Sequence, residues 1–199
     1  MLQLPGDRTV VRETAACLEA GGVAILPAEG LYGLHARLSA PGALDRIRRI
    51  KADPAPRPYI LLLAAPEDVG KMAARWPRDL IASAWPGPLT LILPATPAVP
   101  EDLTREGCVA VRCPGSRLLR EVAGRISGPL LSTSANRSGA APPARVGAIE
   151  RAVSEQVDLI VDGGALSGEG STVARVEPAG RLTVLRQGAW RADLKNEET

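Results

Sequence analysis

The chain has no phenylalanine, two tyrosines, three tryptophans and one histidine in 199 residues, so its core has to be built from aliphatic side chains. A single histidine, His35, cannot assemble the histidine cluster of a zinc enzyme, and no HExxH occurs. Cys17, Cys108 and Cys113 are odd in number and form no CxxC, which argues against a disulfide framework. A Cys–His nucleophile would need His35 beside one of them, and nothing in the spacing supports that pairing. No apolar run reaches ~18 residues, and MLQLPGDRTV lacks the basic-then-apolar layout of a signal peptide. The expectation is a soluble cytoplasmic protein without membrane contact. Charge of either sign is also not in excess: net charge is +2, which with 45% hydrophobic residues argues for a folded globule.

What is present is arginine, at 21 residues against three lysines, Lys51, Lys71 and Lys195. Any carboxylate or phosphate bound here would therefore mostly meet guanidinium. The length fits one domain with a sizeable core. Residues 8–20 read as an amphipathic helix, with Val10, Val11, Thr14, Cys17 and Leu18 on one stripe and Gly21-Gly22 ending it. A second helix is expected after Ser39, with Leu44, Ile47 and Ile50 on one face. A third carries Leu118, Leu119, Val122 and Ile126, and a fourth spans 145–153. Strands are expected at 23–26, 31–38, 59–63, 89–93, 108–112, 130–132, 157–161, 172–176 and 182–185. Strands alternating with helices indicate an α/β domain over 1–190, with the late strands free to pair antiparallel and 191–199 a polar tail.

Six strand ends run into clusters of small polar residues: PAEGLYGL (27–34), KADPAPRP (51–58), VAVRCP (109–114), STSANRSG (132–139), GGALSGEGST (163–172) and LRQGA (185–189). In open α/β sheets ligands sit at strand ends, so six such clusters point to one converging pocket. The 163–170 stretch has no GK[ST] and precedes a strand, which excludes a P-loop and a Rossmann fingerprint. Arg112, held by its apolar VAV strand, is placed to clamp a carboxylate or phosphate, or to make a structural ion pair. Arg186 carries the same two readings. Ser134 and Asn136 can donate to phosphate, approach a bound metal, or simply form their turn. Lys51 suits phosphate or a helix C-terminus, and Arg57 sits in a proline-rich loop able to close over a ligand. His35 reads as a core or turn residue, and Trp85 as a packing anchor for the strand after it. Arg46, Arg48, Arg49 and Lys51 form a basic cluster that could meet structured RNA, although few aromatics are available for stacking on single strands.

Taken in order, these segments resemble the YrdC family of threonylcarbamoyl-adenylate synthases in its short, single-domain form. The likeness runs from GGVAILPAEGLYGL to VLRQGA through WPGPLTLILP, VAVRCP, LLSTSANRSG, VDLIVDGG and GSTVARV, with SANRSG and WPGPLT the most specific. The resemblance implies a twisted mixed parallel and antiparallel sheet around a basic cavity. It implies joining of L-threonine, bicarbonate and ATP into threonylcarbamoyl-adenylate, with Mg²⁺ on the phosphates and pyrophosphate released. That product would serve N6-threonylcarbamoyladenosine formation in tRNA through a downstream threonylcarbamoyl transferase. By the same resemblance Lys51, Arg57, Cys108, Ser134, Asn136 and Arg186 surround ATP, and Arg112, Ser132 and Ser171 hold threonine. No protein nucleophile is implied, and no metal site made by the protein alone.

The chain departs from the family pattern at two places. A Pro-Thr-acid-Thr segment reads Pro27-Ala28-Glu29-Gly30, without either hydroxyl. A Lys-x-Arg-Pro segment reads Lys51-Ala52-Asp53-Pro54, exchanging a phosphate-facing cation for an acid, a change of two charges. These departures keep open a divergent paralogue that binds ATP with another acyl or carbamoyl substrate, and the basic helix face from Arg46 to Lys51 keeps open a module binding tRNA or double-stranded RNA.

Overall fold

The computed structural model describes residues 2–3, 8–53, 59–177 and 180–191. Among these residues, ten strands form one mixed sheet in the order β1-β8-β2-β3-β7-β4-β6-β5-β9-β10. They are β1 (Leu2–Gln3), β2 (Val23–Pro27), β3 (Tyr32–Arg37), β4 (Ile60–Leu62), β5 (Leu89–Pro94), β6 (Cys108–Arg112), β7 (Leu130–Ser134), β8 (Leu159–Asp162), β9 (Thr172–Val176) and β10 (Leu182–Arg186). β4 runs parallel to β6 and β5 to β9, whereas β3–β7, β4–β7, β5–β6 and β9–β10 are antiparallel. Of the late strands only β9 and β10 pair antiparallel, whereas β8 runs parallel to β1 and β2.

The helices are α1 (Arg8–Glu19), α2 (Ala43–Lys51), α3 (Val69–Met72), α4 (Arg78–Ala84), α5 (Arg117–Ala123) and α6 (Arg151–Ser154). Residues on alternate sides of a strand serve different layers. Ile25, Leu34, Leu61, Leu91, Val111 and Leu131 pack with Ile47 and Ile50 of α2, Val69 and Met72 of α3, Ile81 of α4 and Val153 of α6. Ala24, Leu26, Leu62 and Leu130, on the opposite face, pack with Val10, Val11 and Leu18 of α1 and Leu118, Leu119 and Val122 of α5. Trp85 is the expected anchor: it is buried and its indole N–H donates to the Leu89 carbonyl at 2.6 Å.

The expected helix over 145–153 is corrected to a 3₁₀ turn, Val146–Ala148, followed by the single turn of α6. Gly147 weakens the run, and Ile149 and Val153 alone are buried from this stretch. Three cysteines remain free thiols. Among the described residues, no helix is long and apolar enough to cross a membrane.

Candidate active site

α1 and α5 cover only part of their face of the sheet. Farther along that face, ladder partners set up the row His35–Ser132–Ile60–Ala110–Ile92–Arg175 across six strands. Ser132 and Ile60 from this row floor a lobe of about 200 Å³, walled by Ala28, Glu29, Gly30, Arg112, Ser171 and Arg186. A second lobe, about 340 Å³, is lined by Lys51, Asp53, Tyr59, Asn136, Ser138 and Ala140. Thr133, Ser134, Pro142 and Arg186 line both, so the two lobes adjoin. The first lobe alone is smaller than a typical small-molecule site of about 300–1,000 Å³, but the two adjoining lobes together fall within that range. A larger hollow of about 490 Å³ elsewhere, among Trp76, Arg78, Ile81 and Trp85, lacks this gathering of polar groups.

In the first lobe, Arg112 ends β6 with only 7% of its side chain exposed, and its Nη1 stands 3.4 Å from Glu29 Oε2. Burial pulls its guanidinium below the ordinary arginine value, with Glu29 acting in the opposite sense. Arg112 Nε and Glu29 Oε2 are buried without a hydrogen-bond partner among the described residues. Glu29 Oε1 accepts a hydrogen bond from the Gly115 N–H at 2.5 Å, which fixes the carboxylate. Ser171 shares a hydrogen bond with Thr90 at 2.9 Å, and Arg186 donates to the Ser171 carbonyl at 3.0 Å. Beneath Ser132 lies His35, fully buried, its Nε2 3.2 Å from the Ser132 hydroxyl. Burial pushes the His35 imidazole down to about 3, so it is neutral at ordinary pH.

The second lobe is organised by Lys51, which is buried and donates to the carbonyls of Ser134 and Asn136 at 2.9 and 2.8 Å. It therefore clamps the SANRSG turn to the end of α2. The Ser138 N–H completes the clamp by donating to the Lys51 carbonyl at 2.9 Å. Asn136 donates through Nδ2 to the Arg137 and Ala140 carbonyls, leaving Oδ1 buried without a hydrogen-bond partner among the described residues. Ser138 Oγ is in the same state. Among the described residues, no group of three or more His, Cys, Asp or Glu is gathered closely enough to hold a metal ion.

The structure thus brings together Lys51, Ser134, Asn136, Arg186, Arg112, Ser132 and Ser171. It does not bring Cys108 to these lobes. Cys108 opens β6 four residues before Arg112, roughly 13 Å away along the strand. There it lines another hollow with Ile92, Arg105, Glu106 and Arg175. Arg57 lies outside the described residues. Asp53 lines the second lobe beside Lys51.

The departure at Gly30 has a steric cause. A Cβ there would lie 1.9 Å from the Glu169 carbonyl oxygen and 2.6 Å from Ser167 Oγ. The 163–171 loop occupies the room a hydroxyl side chain would need, and the Gly168 N–H donates to the Gly30 carbonyl at 2.8 Å. Tyr32 holds the start of that loop, donating to the Gly164 carbonyl and accepting from the Gly163 N–H, both at 2.8 Å. Glu29 is the residue that the sequence argument passed over; its register beside Pro27 and its acid were visible, but its approach to Arg112 was not.

The basic cluster on α2 is largely satisfied within the fold. Arg46 pairs with Asp158 at 2.6 Å, holding that carboxyl below the usual range, and Arg48 reaches Asp45 and Asp102 at 3.3 and 3.4 Å. With Lys51 turned inward, Arg49 is the cation of this cluster for which no ion pair is seen among the described residues.

A family model for Sua5, YciO and YrdC, described as "Telomere recombination", matches residues 16–188. The mouse threonylcarbamoyl-AMP synthase is 31% identical over 194 residues, covering 92% of this chain and 68% of its own. The crystal structure of Pyrococcus abyssi Sua5 complexed with L-threonine superposes with a TM-score of 0.84 at 30% identity, over 94% of this chain and 56% of that one. This chain therefore spans little more than half of that protein. Escherichia coli YciO, at 24% identity, shares the fold with a TM-score of 0.83 over 94% of this chain and 93% of its own.

Proposed function

The chain belongs to the Sua5/YciO/YrdC family, and we propose that it is a threonylcarbamoyl-AMP synthase. It joins L-threonine, bicarbonate and ATP, releases pyrophosphate, and supplies the threonylcarbamoyl group for tRNA modification. The observation that carries this reading is the two-lobed cleft. One lobe offers a buried guanidinium, and the adjoining one offers a clamped turn of small polar residues, with Ser134 and Arg186 on both. Two substrates held in adjoining lobes can react with each other directly.

In this reading Arg112 takes the threonine carboxylate, replacing its loose contact with Glu29 by paired charge-assisted hydrogen bonds. The threonine amine and bicarbonate give a carbamate and water. The carbamate oxygen then attacks the α-phosphorus of ATP, and pyrophosphate leaves. The protein contributes alignment and positive charge rather than a nucleophile. Arg186 stands between the two reacting groups, and the Lys51-clamped turn receives the phosphates. Mg²⁺ carried on ATP would neutralise phosphate charge there, with Asn136 Oδ1 the protein oxygen nearest in kind to a ligand for its water shell. The product passes to a tRNA threonylcarbamoyl transferase in the cytoplasm.

A second reading, another amino acid or acyl substrate, is favoured by Gly30 and Asp53. One assay separates the two. Pyrophosphate release should require threonine, bicarbonate, ATP and Mg²⁺ together, and other amino acids should give little. Release with a different amino acid in preference establishes the second reading. No release above a no-enzyme control, with a competent relative active alongside, sinks both.

A further inference from the structure

The first lobe holds two opposite charges side by side, each with an unused hydrogen-bonding atom. Glu29 Oε2 and Arg112 Nε are buried and lack hydrogen-bond partners among the described residues, although their side chains are only 3.4 Å apart. An ion pair formed for stability alone would close its hydrogen bonds, because a buried polar atom left without a partner is destabilising. Here the carboxylate is instead tied from behind by the Gly115 N–H, which keeps it from rotating fully onto Arg112. Both residues line the lobe.

Of the other groups around the lobe, Arg186 adds a second positive charge that acts on Arg112 but does not reach Glu29 in any hydrogen bond or ion pair seen among the described residues. His35 is neutral under Ser132. Arg186 is turned onto Ser171, and Glu169 is paired with Arg191 at 3.1 Å. A simple anion entering the lobe would meet Arg112 but be repelled by Glu29, and a simple amine would meet the reverse. A ligand bearing an ammonium and a carboxylate one carbon apart answers both.

We propose that Glu29 is the receptor for the α-ammonium of the amino-acid substrate, so that the Glu29–Arg112 pair reads the zwitterion as a unit. This deepens the synthase reading and rests on it. The arrangement also explains why the acid stays in a segment that has lost both hydroxyls. It gives Glu29 a chemical task as well, since the ammonium must lose a proton before its nitrogen can attack. In that step the Glu29 carboxylate takes the proton, the amine keeps the freed electron pair, and no other reactant is needed.

The test compares L-threonine with 3-hydroxybutyrate, which lacks only the amine, in direct binding to the full chain. The wild-type protein should prefer threonine by at least tenfold. Glu29→Gln, which can still accept from Gly115, should weaken threonine tenfold or more while 3-hydroxybutyrate binds as well or better. ATP affinity and melting temperature serve as controls for folding. Glu29→Asp keeps the charge and should restore part of the preference for threonine. Equal weakening of both ligands in Glu29→Gln, or an unchanged preference, would overturn the role given to Glu29. If the wild-type protein still releases pyrophosphate with threonine in that case, the synthase reading stands without it. A wild-type protein that binds no threonine at all would overturn both.

Discussion

His35 offers a prediction in which the whole effect arises from one buried group. Its imidazole is fully buried under Ser132 and is pushed down to about 3, whereas in the unfolded chain it titrates near 6.5. Between those values the unfolded state binds a proton that the folded state does not. Stability must therefore fall as pH drops below about 6.5 and stop falling, for this group, near 3. The slope is about 1.4 kcal/mol per pH unit, so the loss reaches about 2 kcal/mol by pH 5 and approaches 5 kcal/mol near pH 3. His35→Gln keeps a polar partner for Ser132 and cannot titrate. Urea denaturation of both proteins at pH 7 and pH 5 isolates the term, because Glu19, Glu121 and Asp158, all held low, titrate alike in both. The wild-type protein should lose about 2 kcal/mol more than His35→Gln over that interval, or about 4–8 °C in melting temperature for a chain of this size. Equal losses in the two proteins would show that His35 is not desolvated as described.

Restoring a hydroxyl by Gly30→Thr should harm rather than help. The new Cβ would overlap the Glu169 carbonyl, costing about 1–3 kcal/mol by overpacking, and displacing the loop should raise the KM for threonine; a variant with better threonine binding would refute the steric account. Lys51→Met leaves the carbonyls of Ser134 and Asn136 without their donor. Thermal denaturation should show a loss of about 2–4 kcal/mol, and calorimetry an ATP affinity lowered at least tenfold with a smaller change for threonine. An ATP affinity within twofold of wild type would detach the clamp from the nucleotide. Arg112→Met should abolish threonine binding while sparing ATP, as read by the shift each ligand gives in melting temperature.

Much of the fold was legible because its longer elements have strong periodicity. The stripe of Val10, Val11, Thr14 and Leu18 found α1, and the VAV run found β6. α3 and α4 were missed because they have four and seven residues and bury only Val69, Met72, Ile81 and Ala84. The order of strands could not be read from local pattern, since β7 enters between β3 and β4. That insertion brings Ser132 beside Ile60, with both Ser132 and Ser134 lining the cleft. On sequence alone Lys51 suits phosphate or a helix C-terminus and enters the site only through the family resemblance, and its inward turn onto two carbonyls depends on where the SANRSG turn is carried. The approach of Glu29 to Arg112 joins two strand ends distant in sequence, so only tertiary structure could reveal it. The 163–171 loop filling the space above Gly30 is of the same kind: sequence showed a missing side chain, and structure shows what stands there.

The central claim is that two adjoining lobes carry out one condensation, and following carbon from bicarbonate tests it most directly. With ¹³C-bicarbonate, L-threonine, ATP and Mg²⁺, mass spectrometry should find an adenylate that contains both threonine and the labelled carbon, formed together with pyrophosphate. An adenylate without the label, or pyrophosphate released equally when threonine is left out, would contradict the account.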